Sequence, residues 1–91
     1  MEKKEIVITS ALRTAVGSLG GSLKNTPSEK LGSTVITESV KNSKLKNEEI
    51  DEIIMGQVLT GGTGQNPARQ AAINAGIPKE KTAYVVNQVC G

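Results

Sequence analysis

Ninety-one residues with 36% apolar side chains and one aromatic, Tyr84, must build their core from Ile, Val, Leu and Ala. A chain of this length is at most one domain and buries roughly 60% of its unfolded surface, so the core is thin and a further partner surface is expected. Eleven basic against nine acidic side chains give a net charge of +2. There is no basic stripe and no stacking aromatic cluster, which speaks against nucleic-acid binding.

One cysteine and no histidine exclude an internal disulfide framework and leave no zinc-ligand set. Lys and Glu alternate in Glu2-Lys3-Lys4-Glu5 and Lys79-Glu80-Lys81, as on solvated surface. The first apolar run, Ile6-Val7-Ile8, is too short for a signal-peptide core, and early acids do not suit a transit peptide. No stretch approaches membrane-spanning length, so a reducing cytoplasm is the expected setting.

In chain order, Ile6-Val7-Ile8 reads as a short strand buried on both faces. A loop follows from Ala11 to Asn25, carrying Arg13-Thr14 and Gly17, Gly20 and Gly21. Thr26-Pro27-Ser28-Glu29 then writes a helix start, with Thr26 as cap, Pro27 in the first turn and Glu29 completing a capping box. Leu31, Val35, Ile36 and Val40 fall on one face of that helix, with Lys30, Thr34, Thr37 and Lys41 off it. Gly32 inside a helix costs about 1 kcal/mol against Ala, so a close neighbouring backbone is expected there.

Asn47 to Ile50 reads as a single capped turn before a second strand, Ile53 to Val58. A glycine loop, Thr60-Gly61-Gly62-Thr63-Gly64-Gln65, leads to a second helix capped by Asn66 with Pro67 behind it. Gly76, Ile77 and Pro78 write its stop: a left-handed glycine, a hydrophobic fold-back and a residue that cannot continue. Ala68, Ala71, Ala72 and Ala75 give this helix a small-residue face for close packing. The third strand, Tyr84 to Val89, ends at Cys90. The order β-α-β-α-β predicts an α/β fold with parallel strands and right-handed crossovers, and three strands do not complete such a sheet.

Few residues are candidates for chemistry. The glycine loop lacks the Gly-Lys-Ser/Thr of a phosphate loop, and Pro67 stands where a dinucleotide fingerprint needs its third glycine. Arg13 suits an anion or a surface ion pair. Asp51 and Glu52 are neighbouring carboxylates with no partner motif. Cys90 fits two roles: a nucleophile at the end of a strand, where a following helix would favour the thiolate, or a small buried strand-end residue. With no histidine to act as base, the chain is expected to be a piece of an enzyme, ending where its active site begins.

Three segments match one family in order and spacing. Ser10 to Gly21, with Ala11-Leu12-Arg13-Thr14, resembles the N-terminal loop of thiolases. Gly61 to Pro78, with Gly64-Gln65-Asn66-Pro67-Ala68-Arg69-Gln70 and Ala75-Gly76-Ile77-Pro78, is similar to their loop and second helix. Asn87-Gln88-Val89-Cys90-Gly91 resembles the segment that carries the acyl-accepting cysteine.

The resemblance covers residues 1–91 as the N-terminal part of the N-terminal thiolase domain, and is nearest to the acetyl-CoA C-acetyltransferase type. It implies a partial thiolase-like fold with Cys90 as catalytic nucleophile. It also implies condensation of two acetyl-CoA to acetoacetyl-CoA and CoA through an acyl-cysteine. No metal and no cofactor beyond the coenzyme A thioesters is implied, and no coenzyme A contact is assigned within these residues. The family's activating histidine and second cysteine have no counterpart here, so the chain alone is expected to be inactive.

A homo-oligomer, dimer or tetramer, is also implied. The strand ending at Val89 would pair with its two-fold mate, and the Gly61–Asn66 loop would reach toward the neighbour. The alternatives are a non-catalytic module that binds a partner chain, or another condensing enzyme of the same fold. A ketoacyl synthase is one such enzyme, but it would lack the Gly-Gln-Asn-Pro-Ala-Arg stretch.

Overall fold

The computed structural model describes residues 3–90. Its regular elements are α1 (Ser28–Asn42), a 3-10 turn (Asn47–Glu49), β1 (Glu52–Gly56), α2 (Pro67–Asn74) and β2 (Thr82–Val86). β1 and β2 run parallel, paired from Glu52↔Thr82 to Gly56↔Val86, with α2 as the connection between them. This is the α/β arrangement with parallel strands that the alternation of elements predicts.

The pleat divides the sheet into two unlike faces. Ile53, Met55, Ala83 and Val85 alternate toward the helices, whereas Ile54 is 53% and Tyr84 41% exposed on the opposite face. Both helices lie on the first face. The core is built from Ile36 and Val40 of α1, Ala71 and Ala72 of α2, and Ile77 just beyond, with Ile50, Ile53, Met55, Ala75 and Ala83 packed around them.

Gly32 explains why α1 and α2 can approach so closely. A Cβ added there would lie 3.1 Å from Ala71 Cβ and 3.2 Å from Met55 Cε. The helix-interior glycine marks a close approach, but what meets it is side chains, the alanine face of α2 and Met55 of β1, and not the neighbouring backbone expected. Ala68, Ala71 and Ala72 are all at most 1% exposed.

The stop of α2 follows the sequence closely. Gly76 adopts φ 86°, the Ile77 N–H donates to Ala72 O at 3.0 Å, and the Gly76 N–H donates to Ile73 O at 3.0 Å. This pair of bonds is the Schellman arrangement, and its hydrophobic residue, Ile77, is 3% exposed. Asn47 then ties the 3-10 turn to this end by donating from Nδ2 to Gly76 O at 3.1 Å. The turn itself is closed by Glu49, whose carboxylate accepts the Lys46 N–H at 2.9 Å.

Three local expectations are corrected. Ile6-Val7-Ile8 forms no strand: the three side chains are 96%, 68% and 90% exposed. β-branched residues favour strands because they fit a half-buried pleated surface, and no such surface lies beneath these three. Instead the segment leads into Thr9, whose hydroxyl meets Ser43 Oγ at 2.8 Å beyond the end of α1. At the other end of α1, Pro27 is the cap residue and Thr26 makes no capping bond, so the expected box is not formed. Finally, β2 stops at Val86, well before Cys90.

Candidate active site

The parallel ladder closes with the Gln57 N–H donating to Val86 O at 3.1 Å. Beyond it both strands leave the sheet at their C-terminal ends, the side on which open parallel sheets carry ligands. Val58, Leu59 and the glycine loop follow β1; Asn87, Gln88, Val89 and Cys90 follow β2. A groove of about 390 Å³ opens between these exits, lined by Gly56, Gln57, Val58, Val86, Gln88 and Val89.

Cys90 is a free, exposed thiol on the turn that follows β2. Among the described residues, strand and burial both end before it. Gly91, the other residue of that motif, lies outside the described residues. The residue before the thiol is under backbone strain: Val89 has φ 54°, in the left-handed region. A β-branched side chain there costs on the order of 1–3 kcal/mol and persists only where its surroundings hold it.

The polar residues of the Gly64–Gln70 segment prove to be ties within the scaffold. Asn66, at φ 43°, accepts the Arg69 N–H on Oδ1 at 3.1 Å and donates from Nδ2 to Ala83 O at 3.0 Å. It thus caps α2 and fixes it to β2 with one side chain. Arg69 donates from Nη1 to Lys81 O at 2.9 Å and from Nη2 to Lys79 O, pinning the turn before β2. Gln70 donates to Thr63 O and Gln65 O, both at 2.8 Å, which folds the glycine loop back against the helix.

Asp51 and Glu52 stand at the N-terminal end of β1, the end of the ladder away from Cys90. Asp51 pairs with Lys81 at 3.8 Å while 97% exposed, so this surface pair contributes little, and Glu52 is exposed on the first position of β1. Arg13 is exposed in the N-terminal loop, and makes no salt bridge among the described residues. Among the described residues no group of three or more acidic, Cys or His side chains could hold a metal ion. No helix among them is long and apolar enough to cross a membrane.

One contributor was not assigned a role from sequence. Asn87 donates from Nδ2 to Val58 O at 3.2 Å and accepts the Val89 N–H on Oδ1 at 3.1 Å. An Asn two residues before a turn position is a signal for such a local bond, but its reach to Val58 depends on strand pairing.

Similarity to known proteins agrees with this geometry. Residues 6–91 match the family described as the thiolase N-terminal domain. An acetyl-CoA acetyltransferase of Syntrophomonas wolfei is 53% identical over 97% of this chain, which spans 22% of that relative. The acetyl-CoA acetyltransferase of Cupriavidus necator is 54% identical over 96% of the chain and is likewise covered over 22% of its length. A Clostridioides difficile protein of the same name is 51% identical, with 97% of this chain and 82% of the relative covered.

Among solved structures, the Acat5 thiolase of Ascaris suum, crystallised in complex with coenzyme A, superposes with a TM-score of 0.75 at 40% identity. That match covers 77% of this chain and 18% of the other. The chain thus spans about a fifth of the first two relatives and of the Ascaris structure. With the family's N-terminal domain matched from Ile6 onward and its fold present in the described residues, this chain belongs to the thiolase family.

Proposed function

We propose that the protein bearing this chain is an acetyl-CoA C-acetyltransferase in which Cys90 carries the acetyl group. The observation that carries this reading is the exposed Cys90 on a strained turn at the C-terminal end of the parallel strands. A thiolate attacks the thioester carbonyl of acetyl-CoA. The new S–C bond forms as the old one breaks, and coenzyme A leaves as a thiolate that takes up a proton. The exchange is nearly balanced because one thioester replaces another. A second acetyl-CoA then loses a proton from its methyl carbon, and that carbon attacks the acyl-cysteine. The products are acetoacetyl-CoA and the free Cys90 thiolate.

The backbone N–H of Cys90 would donate to the acyl oxyanion. The 91 residues hold no histidine, so in this reading both proton acceptors lie outside them and these residues alone do not turn over. No bound cofactor takes part in it. The direct test is brief incubation of the full-length protein with radiolabelled acetyl-CoA. A single acetyl group should appear on the peptide containing Cys90, and iodoacetamide should block it. Label on any other residue would refute the assignment.

The same reading places the protein in the cytoplasm as a homo-oligomer, a dimer or tetramer. Its support is the chain's membership of the thiolase family. Light scattering of the full-length protein should give the mass of two or four chains, and a monomer at micromolar concentration would contradict it.

A further inference from the structure

We propose that Asn87 is the positioning residue for Cys90, acting by holding Val89 in the left-handed conformation that aims the thiol. The inference rests on Cys90 being the acyl carrier, and it adds a role to a residue whose side-chain hydrogen bonds go to Val58 O and the Val89 N–H.

Val89 carries the argument. Among the described residues three non-glycines have positive φ: Lys44, Asn66 and Val89. Asn66 is of a type that tolerates this region, and it caps a helix. Val89 is β-branched, so its own side chain works against the conformation and the stabilisation must come from elsewhere. Among the described residues little burial supplies it, since Val89 is 69% exposed.

The hydrogen bonds of Asn87 are placed to supply it. The last rung of the ladder is Gln57 N–H to Val86 O. One residue on, the Asn87 side chain acts as a further rung: its Nδ2 reaches back to Val58 O while its Oδ1 receives the Val89 N–H. One amide therefore ties the exit of β1 to the turn before Cys90, with a donor committed on one side and an acceptor on the other. Removing either bond releases a turn whose relaxed geometry swings the following residue away from its present direction.

The test uses the full-length protein and three forms: wild type, Asn87→Ala, and Asn87→Ala with Val89→Gly. Glycine takes positive φ without steric cost, so it removes the strain that Asn87 is held to oppose. Loss of an interaction that serves only the reacting geometry lowers kcat while leaving KM nearly unchanged, and here a fall of roughly 10-fold or more in kcat is expected with KM for acetyl-CoA within about twofold. The double variant should recover to within about fivefold of wild type, a rescue that loss of general scaffold stability would not give.

Asn87→Ala turning over within about twofold of wild type would overturn the proposal, as would a double variant no faster than the single. Should Asn87→Ala fail to fold, Asn87→Asp decides. It keeps the acceptor for Val89 but gives up the bond to Val58, and wild-type kcat in it would equally overturn the proposal. Acetyl labelling in wild type separates the two layers. Label on Cys90 with equal rates in every form removes only the role of Asn87; label elsewhere removes the Cys90 reading and this proposal with it.

Discussion

Cys90→Ser in the full-length protein is expected to lose acyl transfer by roughly 10³-fold or more while the protein still folds. The two side chains differ by one atom, so the change tests chemistry and leaves packing aside. Among the described residues Cys90 is exposed and outside any helix or strand, so no core contact and no ladder bond within them is lost with its sulfur. What changes is the nucleophile. A thiol ionises within reach of neutral pH, whereas a serine hydroxyl needs a base aligned for proton removal during attack. The alcohol would also form an oxygen ester, and its return to a thioester is uphill. The check is kcat for coenzyme A-dependent cleavage of acetoacetyl-CoA, with circular dichroism showing an unchanged fold. Near-normal turnover in the Ser variant would leave Cys90 as a bystander on its turn.

Gly32→Val should destabilise the protein by about 2 kcal/mol or more. The space for a side chain there is already taken, with Ala71 Cβ at 3.1 Å and Met55 Cε at 3.2 Å from the position of a new Cβ. Met55 can swing its terminal methyl aside, but Ala71 is fixed to the backbone of α2 and can yield only if the helix moves. α2 in turn is held at its start by Asn66 and at its end by the Gly76–Ile77 stop. Gly32→Ala is the informative control. It gains about 1 kcal/mol of helix propensity and spends it on the tight contact, so its net effect should be small. Urea unfolding of the full-length variants checks both, and a Val variant as stable as wild type would show that α1 and α2 are free to separate.

These expectations show where local chemistry suffices and where it does not. The start and stop of α2 were legible because both depend on residues within one turn of each other. Asn66 bonds to Arg69, and Gly76 and Ile77 bond back to Ile73 and Ala72. The apolar stripe of α1 was legible for the same reason, since a period of 3.6 selects one face whatever it packs against. Gly32 gave a cost without naming its cause, and only the crossing of the helices supplied Ala71.

Strand formation was the opposite case. Ile6-Val7-Ile8 has the composition of a strand, but a strand is completed by a neighbour's N–H and C=O groups, and composition does not provide the neighbour. The end of β2 also lay beyond the sequence. The apolar run from Tyr84 to Val89 suggests a longer strand, yet the last rung falls at Val86, where Gln57 is the partner.

The candidate site divides in the same way. The position and type of Cys90 were legible in the sequence, because the proposed nucleophile is a single residue in a short motif. Its exposure, the left-handed Val89 and the bond from Asn87 to Val58 were decided by tertiary structure. Asn87 and Val58 are 29 positions apart and meet only because β1 and β2 pair in one register. A sequence specifies which groups can donate and accept; pairing of distant strands decides which of them come within reach.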